Sequence, residues 1–472
     1  MPQRRSHVAP SAAQSELATA LAALRADLDA PTEFSAEALA EAGAATGPTP
    51  GLDLRDIPFA TLDPAGSMDL DQAFQLERSG SGYTVRYAIA DVPSFVVPGG
   101  ALDQAARARG ETLYAADGTI PLHPAVLSED RASLLPDQDR PALVWTFALD
   151  AAGSVTDTRL ERALIRSRAK LDYVGVQADL DAGRDSPAAL LPEIGRLRLE
   201  QEEQRGGASL NLPDEEVVRH DDGTYAIERR RPLPIEDWNA QLSLMTGMAA
   251  ARLMLQAKVG VLRIMPQPDD AAFDTFRRQT AALGLPWTSG RYGDYLRRLD
   301  RDDPQTLSIL TAAAALFRGA GYVAFDGELP AETTQAAIAA PYAHATAPLR
   351  RLVDRWSLTI SLAVCSGAEI PEWVHSSLPQ VPELMRLSAQ RSTALSSRTL
   401  NLVETALLEP LVGETFDAAV IRRNGTRGTV QIAEPPVTAS MALPDAAAAG
   451  SSLRVTLTAA DVAKGQVAFA AV

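Results

Sequence analysis

Hydrophobic residues follow a helical spacing in the first 45 residues of the chain. Between residues 12 and 45, leucine and alanine recur every three or four positions, which predicts two short helices with Ser35 as the N-cap of the second. Such a pair is compatible with a helix-turn-helix fragment and equally with a helical arm packed on a larger domain. GPTPG at residues 47–51 is typical of a linker. We therefore treat residues 1–50 as a short helical N-terminal segment.

The pattern becomes strand-like near Phe59. The segments IPFATLD, QAFQLER and GYTVRYAIADV are rich in β-branched and aromatic residues, and SGSG between the last two predicts a hairpin turn. Long stretches with helical spacing follow, such as EDWNAQLSLMTGMAAARLMLQAK. A sheet followed by helices predicts a mixed α+β domain over residues 51–410.

The end of the chain returns to short strands. FDAAVIRRNGTRGTVQIA predicts a hairpin with a turn at Asn424–Gly425, and three further β-rich segments follow it. Short strands with close turns are typical of a small barrel, so we expect an OB-fold β-barrel at residues 411–472.

Composition narrows the class of protein. The 472 residues exceed one ordinary domain, and a hydrophobic content of 46% supports a large core. No run approaches the roughly 20 apolar residues of a membrane span, and we find no signal-peptide pattern, so we expect a cytoplasmic protein without a membrane partner. Nothing indicates a stable protein partner, so a monomer is expected. The single cysteine, Cys365 in the apolar setting SLAVCSG, predicts a buried and unreactive thiol.

Charge gives a mixed indication about nucleic acid. A net charge of −16 argues against a nucleic-acid partner unless basic patches or metal ions offset it locally. Residues 346–400 contain six arginines against four acidic residues, which predicts a locally basic surface.

One loop concentrates carboxylates, with Asp63, Asp69 and Asp71 in the sequence LDPAGSMDLDQA. Asp69 and Asp71 point to the same side of an extended chain, and the turn PAGS can bring Asp63 near them. Converging carboxylates repel one another unless a cation lies between them, and Mg²⁺ prefers oxygen ligands. The pattern is equally typical of a solvated loop in which aspartate forms turns and caps. Spacing alone leaves both interpretations open.

The aspartate loop LDPAGSMDLDQAF is followed, in order, by YAIADVPSFV, ARARGETLY, IPLHPAVLSED, GASLNLPDEE and YAHATAPLRRLVDRW. These segments in this order give the chain a resemblance to the ribonuclease II / ribonuclease R family of 3′→5′ exoribonucleases. It implies a catalytic domain at residues 51–410 closed by an OB-type RNA-binding domain at 411–472. It also implies Mg²⁺-dependent hydrolysis, with one or two ions, of single-stranded RNA to nucleoside 5′-monophosphates.

The resemblance implies roles for the residues of the aspartate loop. Asp63, Asp69 and Asp71 match three of the family's four loop aspartates and would bind Mg²⁺, with Asp69 and Asp71 also counted as catalytic. Gln72 stands where the fourth aspartate is expected and could still ligate the metal through its amide oxygen.

Four further residues are expected to contact RNA. Arg350 in TAPLRR would hydrogen-bond the scissile phosphate and stabilise charge in the transition state, with Arg351 and Arg398 as additional contacts. Tyr114 matches the family's aromatic residue that stacks on the 3′-terminal base. The alternatives are a core tyrosine at position 114 and a solvated helix start at Arg350 and Arg351, favoured more for Arg351.

The sequence departs from the family pattern elsewhere. Leu212 stands near the expected second aromatic clamp, Ser243 and Leu244 replace a glutamate pair, and a late-helix glutamate is absent near Ser396 and Ser397. Residues 1–50 have no room for two N-terminal OB-type domains, which predicts a more open RNA entrance. Two alternatives to the nuclease therefore stay open: a catalytically weakened or inactive RNA-binding protein on the same scaffold, and a hydrolase of another class that uses paired carboxylates.

Overall fold

The computed structural model describes residues 5–7, 12–116, 118–208, 214–219, 225–300, 304–314, 316–432 and 437–472. Its N-terminal part contains a short strand and the two expected helices: β1 Arg5–His7, α1 Ala12–Asp27 and α2 Ala36–Ala44. Ser35 caps α2, because its hydroxyl accepts a hydrogen bond of 3.2 Å from the amide of Ala38. Leu17, Leu21 and Leu24 are buried in one cluster with side chains of the last long helix, so α1 is packed on the main domain.

The central unit is a sheet that closes on itself. Its strands and the short elements inserted between them are β2 Leu52–Asp53, β3 Phe59–Asp63, β4 Gln72–Ser79, β5 Gly82–Ala90, α3 Val92–Phe95, α4 Ala101–Arg109, β6 Leu113–Ala115, β7 Gly118–Ile120, β8 Asp139–Leu149 and β9 Val155–Asp172. The strand order is β2-β9-β3-β4-β5-β8, and β8 pairs in turn with β9. β3 runs parallel to β9, whereas β4, β5 and β8 are antiparallel neighbours, so the sheet is mixed.

Helices follow the sheet in the chain, as the pattern predicted. They are α5 Tyr173–Asp181, α6 Leu191–Arg205, α7 Pro234–Ala257, α8 Asp270–Ala282, α9 Tyr292–Arg297, α10 Pro304–Ala314, α11 Asp354–Ser366, α12 Glu372–Ser377 and α13 Val381–Leu408. Helix α7 begins with Pro234 in its first turn, and the carboxylate of Glu236 accepts a hydrogen bond of 2.8 Å from the amide of Leu233. It packs against α6 and α11 and contributes Leu242 and Met245 to the largest core cluster.

Short strands connect the helices: β10 Asp214–Arg219, β11 Tyr225–Arg230, β12 Val259–Ile264, β13 Gly321–Asp326, β14 Thr334–Gln335 and β15 Ala340–Pro341. β1, β11 and β10 form a small antiparallel sheet, and β12 pairs with β13. Single turns of π or 3-10 helix lie at Leu127–Arg131, Leu378–Gln380, Glu409–Leu411 and Val462–Lys464.

The C-terminal unit is a nearly closed five-stranded barrel, which confirms the expected OB-type fold. Its strands are β16 Thr415–Asn424, β17 Arg427–Ile432, β18 Thr438–Ala442, β19 Ser452–Asp461 and β20 Gln466–Ala471. They follow the order β18-β17-β16-β19-β20, and the two end strands lie beside each other. Asn424 pairs with Arg427, so the turn is Gly425–Thr426, one residue later than predicted, with Gly425 in the left-handed region at φ +63°.

Cys365 corrects a prediction. The thiol expected to be buried is exposed, because α11 ends at Ser366 and its last turn leaves the core. Among the described residues, no helix is both long enough and apolar enough to cross a bilayer.

Candidate active site

The aspartate loop is held in place by its own backbone. The amide of Leu70 donates to Ser133 Oγ at 3.0 Å, and this hydroxyl donates to the carbonyl of Met68 at 2.6 Å. The amide of Leu134 donates to the carbonyl of Leu70 at 3.0 Å. Leu70 is fully buried in the same hydrophobic cluster as Leu349. Burial of these two leucines brings the aspartate loop against the TAPLRR segment.

Asp71 is the contact point between the two segments. Its side chain is 3% exposed, and Oδ1 accepts a hydrogen bond of 2.8 Å from the amide of Leu349. Arg350 Nε lies 3.5 Å from Oδ2, and the Arg350 side chain is 45% exposed. Burial raises the pKa of Asp71 well above its usual range, although Arg350 and the Leu349 amide act in the opposite direction. Asp71 is therefore a buried carboxyl group with a cation at its open side.

Asp63 and Asp69 lie on either side of the turn that precedes Asp71. Asp63 Oδ2 is buried and has no hydrogen-bond partner among the described residues. Burial, together with the nearby Asp69 carboxylate, raises the pKa of Asp63 to about 7, and burial also raises the pKa of Asp69. An orphaned buried carboxylate oxygen is costly unless a proton or a cation neutralises it.

Gln72 begins β4 and does not face open solvent. Its amide nitrogen donates a hydrogen bond to the backbone carbonyl of Thr346. A carboxylate at this position would place two acceptors against each other, so the amide is matched to the loop that it touches.

The carboxylates of the aspartate loop fit Mg²⁺ as a pair of ligands and not as a complete set of protein ligands around the ion. Within the described parts of the chain, no group of three or more His, Cys, Asp or Glu side chains is arranged to bind a metal. The Asp71 carboxylate is turned toward Leu349 and Arg350 instead. Mg²⁺ is usually held by one or two carboxylates, with water and substrate phosphate completing its shell, and Asp63 and Asp69 can provide that number.

Arg351 is engaged on the opposite side of the same segment. Its Nε and Nη2 donate to the two oxygens of Asp354 at 2.9 and 3.0 Å, and Asp354 is fully buried. Asp354 Oδ1 also accepts from the amide of Ala347 at 2.7 Å. This arrangement fixes the shape of the segment that presents Arg350.

The segment also positions Tyr114. The amide of Thr112 donates to the carbonyl of Arg350 at 3.0 Å, and the amide of Leu352 donates to the carbonyl of Gly110 at 2.9 Å. The chain then enters the β6–β7 hairpin, where Tyr114 is 56% exposed. Partial desolvation and the nearby Asp69 carboxylate raise the pKa of Tyr114 to about 12. An exposed ring near the aspartate loop is not a core tyrosine.

Comparison with known proteins identifies two matching family models. The RNB domain matches residues 52–358, and the RNase II-type exonuclease C-terminal S1 domain matches residues 414–472. The chain belongs to the RNB family of ribonuclease II and ribonuclease R.

Individual relatives agree with this placement. Ribonuclease R of Escherichia coli K12 is 30% identical over 335 residues, which cover 66% of this chain and 40% of that protein. The structure of Mycoplasma genitalium RNase R in complex with ribose-methylated single-stranded RNA has a TM-score of 0.87 at 18% identity, covering 97% of this chain and 78% of that one. The chain spans about 40% of the length of the curated ribonuclease R that it matches.

The RNB fold is not restricted to nucleases. The structure of yeast Ssd1, described as a pseudonuclease, has a TM-score of 0.69 at 16% identity and covers 90% of this chain and 55% of that one. The fold alone therefore does not show whether a protein catalyses a reaction. That question depends on the side chains of the candidate active site.

Most arginines of residues 346–400 have an acidic partner. Five of the six make ion pairs with carboxylates: Arg350 with Asp71, Arg351 with Asp354, Arg355 with Asp103, Arg386 with Glu383 and Arg398 with Asp27. Partners such as Asp27 and Asp103 are distant in sequence, so the count of charges over this stretch left them out. Arg398, expected to contact RNA, is joined to Asp27 of α1 at 3.0 Å.

Several parts of the RNB site were not evident from the sequence. The Leu349 amide that binds Asp71 is a backbone group and has no sequence signature. Ser243, noted only as a replaced glutamate, forms a 2.8 Å hydrogen bond with the buried Tyr87 hydroxyl. Tyr87 lies on β5, where apolar and polar residues alternate. This alternation is the signal that could have predicted its burial. Leu212, at the expected second clamp, lies outside the described residues.

Proposed function

We propose that the chain is a Mg²⁺-dependent hydrolytic 3′→5′ exoribonuclease that degrades single-stranded RNA to nucleoside 5′-monophosphates. The observation that carries the proposal is the contact of Asp71 with the Leu349 amide and Arg350, beside the exposed ring of Tyr114. In this proposal residues 51–410 contain the catalytic machinery, and the barrel at 411–472 binds RNA.

Each side chain has a task in the proposed reaction. Asp63 and Asp69 offer the oxygen ligands for Mg²⁺, which supplies a Lewis acid that activates water and neutralises phosphate charge. Arg350, half exposed next to Asp71, is free on its outer edge to donate hydrogen bonds to a phosphate oxygen. Asp71 fixes the orientation of that guanidinium and excludes water from its inner side, since the carboxylate itself is 3% exposed.

Tyr114 accounts for a preference for single strands without a preference for sequence. An exposed ring stacks on any unpaired base, and such a contact contributes about 1–3 kcal/mol per base. The hairpin that holds the ring is hydrogen-bonded to the Arg350 backbone, so base and phosphate recognition are positioned together.

The decisive experiment incubates the full chain with a single-stranded RNA labelled at its 5′ end, with Mg²⁺ or with EDTA. Asp71→Asn is the matched variant, because it keeps the shape of the side chain and removes its charge. We expect a ladder that shortens from the 3′ end together with nucleoside 5′-monophosphates, and a loss of about 10²–10³-fold or more in the variant. Release that persists in EDTA, or is unchanged by Asp71→Asn, would contradict the proposed mechanism.

A second candidate function is RNA binding with weakened or absent catalysis. It is favoured by Gln72, whose amide nitrogen is engaged by the Thr346 carbonyl, and by the absence of a three-carboxylate metal group in the described residues. The same experiment separates the two candidates. Intact RNA that still shifts in a gel, with and without Mg²⁺, would establish the binder.

A further inference from the structure

A cavity of about 540 Å³ lies away from the aspartate loop, between the tip of the β8–β9 hairpin and helices α6 and α7. None of its lining residues belongs to the candidate active site. Three of them are arginines, Arg198, Arg205 and Arg252, and apolar side chains such as Met245 and Met248 complete the wall.

The arginines of this cavity have unused donors. Arg198 is 4% exposed, and its Nη1 donates to the carbonyl of Gly153 at 2.9 Å. Its Nε is buried without a hydrogen-bond partner among the described residues, as are Nε and Nη2 of Arg205. Arg252 is exposed and makes no hydrogen bond or ion pair with the described parts of the chain. Buried donors without partners are rare in proteins, and each calls for an explanation.

The charges around Arg198 are unbalanced. Burial and the neighbouring guanidiniums of Arg205 and Arg252 lower the pKa of Arg198 to about 10, and Glu202 acts on it in the opposite direction. Glu202 is itself engaged, because its Oε2 accepts a hydrogen bond of 2.8 Å from Gln241. Among the described groups that act on Arg198, one carboxylate therefore stands against two further guanidiniums, a balance that favours an anion in the cavity.

We infer that this cavity binds a phosphomonoester carried by a molecule of mononucleotide size. Guanidinium groups bind phosphate oxygens through paired N–H donors, and three of them converge on this space. The volume falls in the range of about 300–1,000 Å³ that is usual for small-molecule sites, far more than a bare anion needs. Met248 and Leu255 are partly exposed and offer an apolar surface against which a base can pack.

The test is a calorimetric titration of the full chain with AMP in EDTA, which removes divalent metal from the active site. Arg252→Glu reverses a charge on an exposed side chain without breaking an ion pair within the described residues, so folding is not at risk. Arg159→Glu is the charge-reversal control, since Arg159 is 72% exposed on β9 and does not line the cavity; the variant breaks only an exposed ion pair with Asp157. We expect AMP to bind, Arg252→Glu to weaken its affinity at least tenfold, and Arg159→Glu to change it less than twofold.

Three comparisons complete the design. Adenosine should bind at least tenfold more weakly than AMP, because it lacks the phosphate. Inorganic phosphate that binds as tightly as AMP would overturn a site of mononucleotide size. Arg350→Gln should leave AMP affinity unchanged, and a loss there would place the nucleotide in the active site and refute the inference. Absence of AMP binding would also refute it, whether or not the chain degrades RNA.

Discussion

Two kinds of aspartate–arginine contact lie close together in this protein and differ in what they leave available. In the half-exposed contact, Asp71–Arg350, the closest atoms are 3.5 Å apart and the arginine is 45% exposed. In the buried pairs, Asp354–Arg351 and Asp103–Arg355, they are 2.9 and 2.6 Å apart, and the Arg355 side chain is 1% exposed. A guanidinium that is buried beside its carboxylate cannot reach a phosphate in solution. The arginines of one sequence motif thus divide into two that are held inside the fold and one, Arg350, that is half exposed.

The aspartates of the two kinds of contact also differ in acidity. Burial raises the pKa of Asp71 well above its usual range, and its partners do not compensate. Burial acts on Asp103 as well, but Arg355, the Gly99 amide and Arg107 outweigh it and lower the pKa of Asp103. The partners of Asp103 therefore stabilise its charged form, whereas burial disfavours the charged form of Asp71. Perturbed pKa values such as that of Asp71 are typical of functional sites.

The largest effect on stability should come from a buried pair. Asp103→Asn removes the carboxylate that accepts from Arg355 at 2.6 Å and from Arg107 at 3.0 Å, leaving a buried guanidinium without its counter-charge. We expect the free energy of unfolding to fall by about 3–5 kcal/mol in urea titrations. Glu383→Gln, which breaks the exposed pair with Arg386, is the control and should cost about 1 kcal/mol or less. Equal losses of stability in both variants would contradict the distinction between buried and exposed ion pairs.

For the half-exposed contact, Asp71–Arg350, we expect the reverse: a large effect on catalysis and a small effect on stability. In the proposed reaction Arg350 donates to the scissile phosphate, so we expect Arg350→Gln to lower kcat on single-stranded RNA by about 10²–10³-fold. Stability should change by about 1 kcal/mol or less, because the side chain is 45% exposed. Activity of the folded fraction and the midpoint of unfolding measure the two effects separately. Arg386→Gln serves as the control arginine, and a similar loss of kcat there would contradict a specific role for Arg350.

Local patterns predicted the parts of the molecule that depend on neighbours in sequence. The helices α1 and α2 with the Ser35 cap, the sheet before the helices and the C-terminal barrel are all confirmed. Hydrophobic periodicity and turn residues depend on neighbours in sequence, and so does the formation of these elements. The aspartate loop itself stood out because its residue types are unusual next to apolar strands.

What the patterns missed depends on partners that are distant along the chain. Asp27 pairs with Arg398 and Asp103 pairs with Arg355, and neither aspartate lies in residues 346–400, so a count of charges over that stretch left both partners out. The exposure of Cys365 follows from where α11 ends relative to the core, which residue spacing does not fix. The arginine cavity combines α6 and α7 with a hairpin tip, and no local motif links them.

A smaller effect is expected at Tyr114, where RNA affinity should report base stacking separately from phosphate recognition. Tyr114→Ala removes an exposed ring held by the β6–β7 hairpin, and we expect binding of single-stranded RNA to weaken by about 1–3 kcal/mol. Tyr114→Phe keeps the ring and should bind RNA like the original chain. Fluorescence anisotropy in EDTA measures the affinity without turnover. An equal loss in both variants would mean that the hydroxyl, rather than stacking, makes the contact.

The smallest effect is a loss of stability in acid, and it comes from a buried histidine near the Asp103–Arg355 pair. His123 is fully buried, and burial together with the Arg355 charge lowers its pKa to about 3, against about 6.5 in an unfolded chain. The unfolded state therefore binds the extra proton as the pH falls below 6.5, so this group removes stability progressively between pH 6.5 and 3. The free energy of unfolding should drop by about 1 kcal/mol from this source between pH 7 and 5.5. His123→Gln lacks the titrating group, so the difference between its urea midpoints and those of the original chain should change with pH over this interval. Parallel pH profiles for the two proteins would show that His123 is already protonated, or accessible to protons, in the folded state.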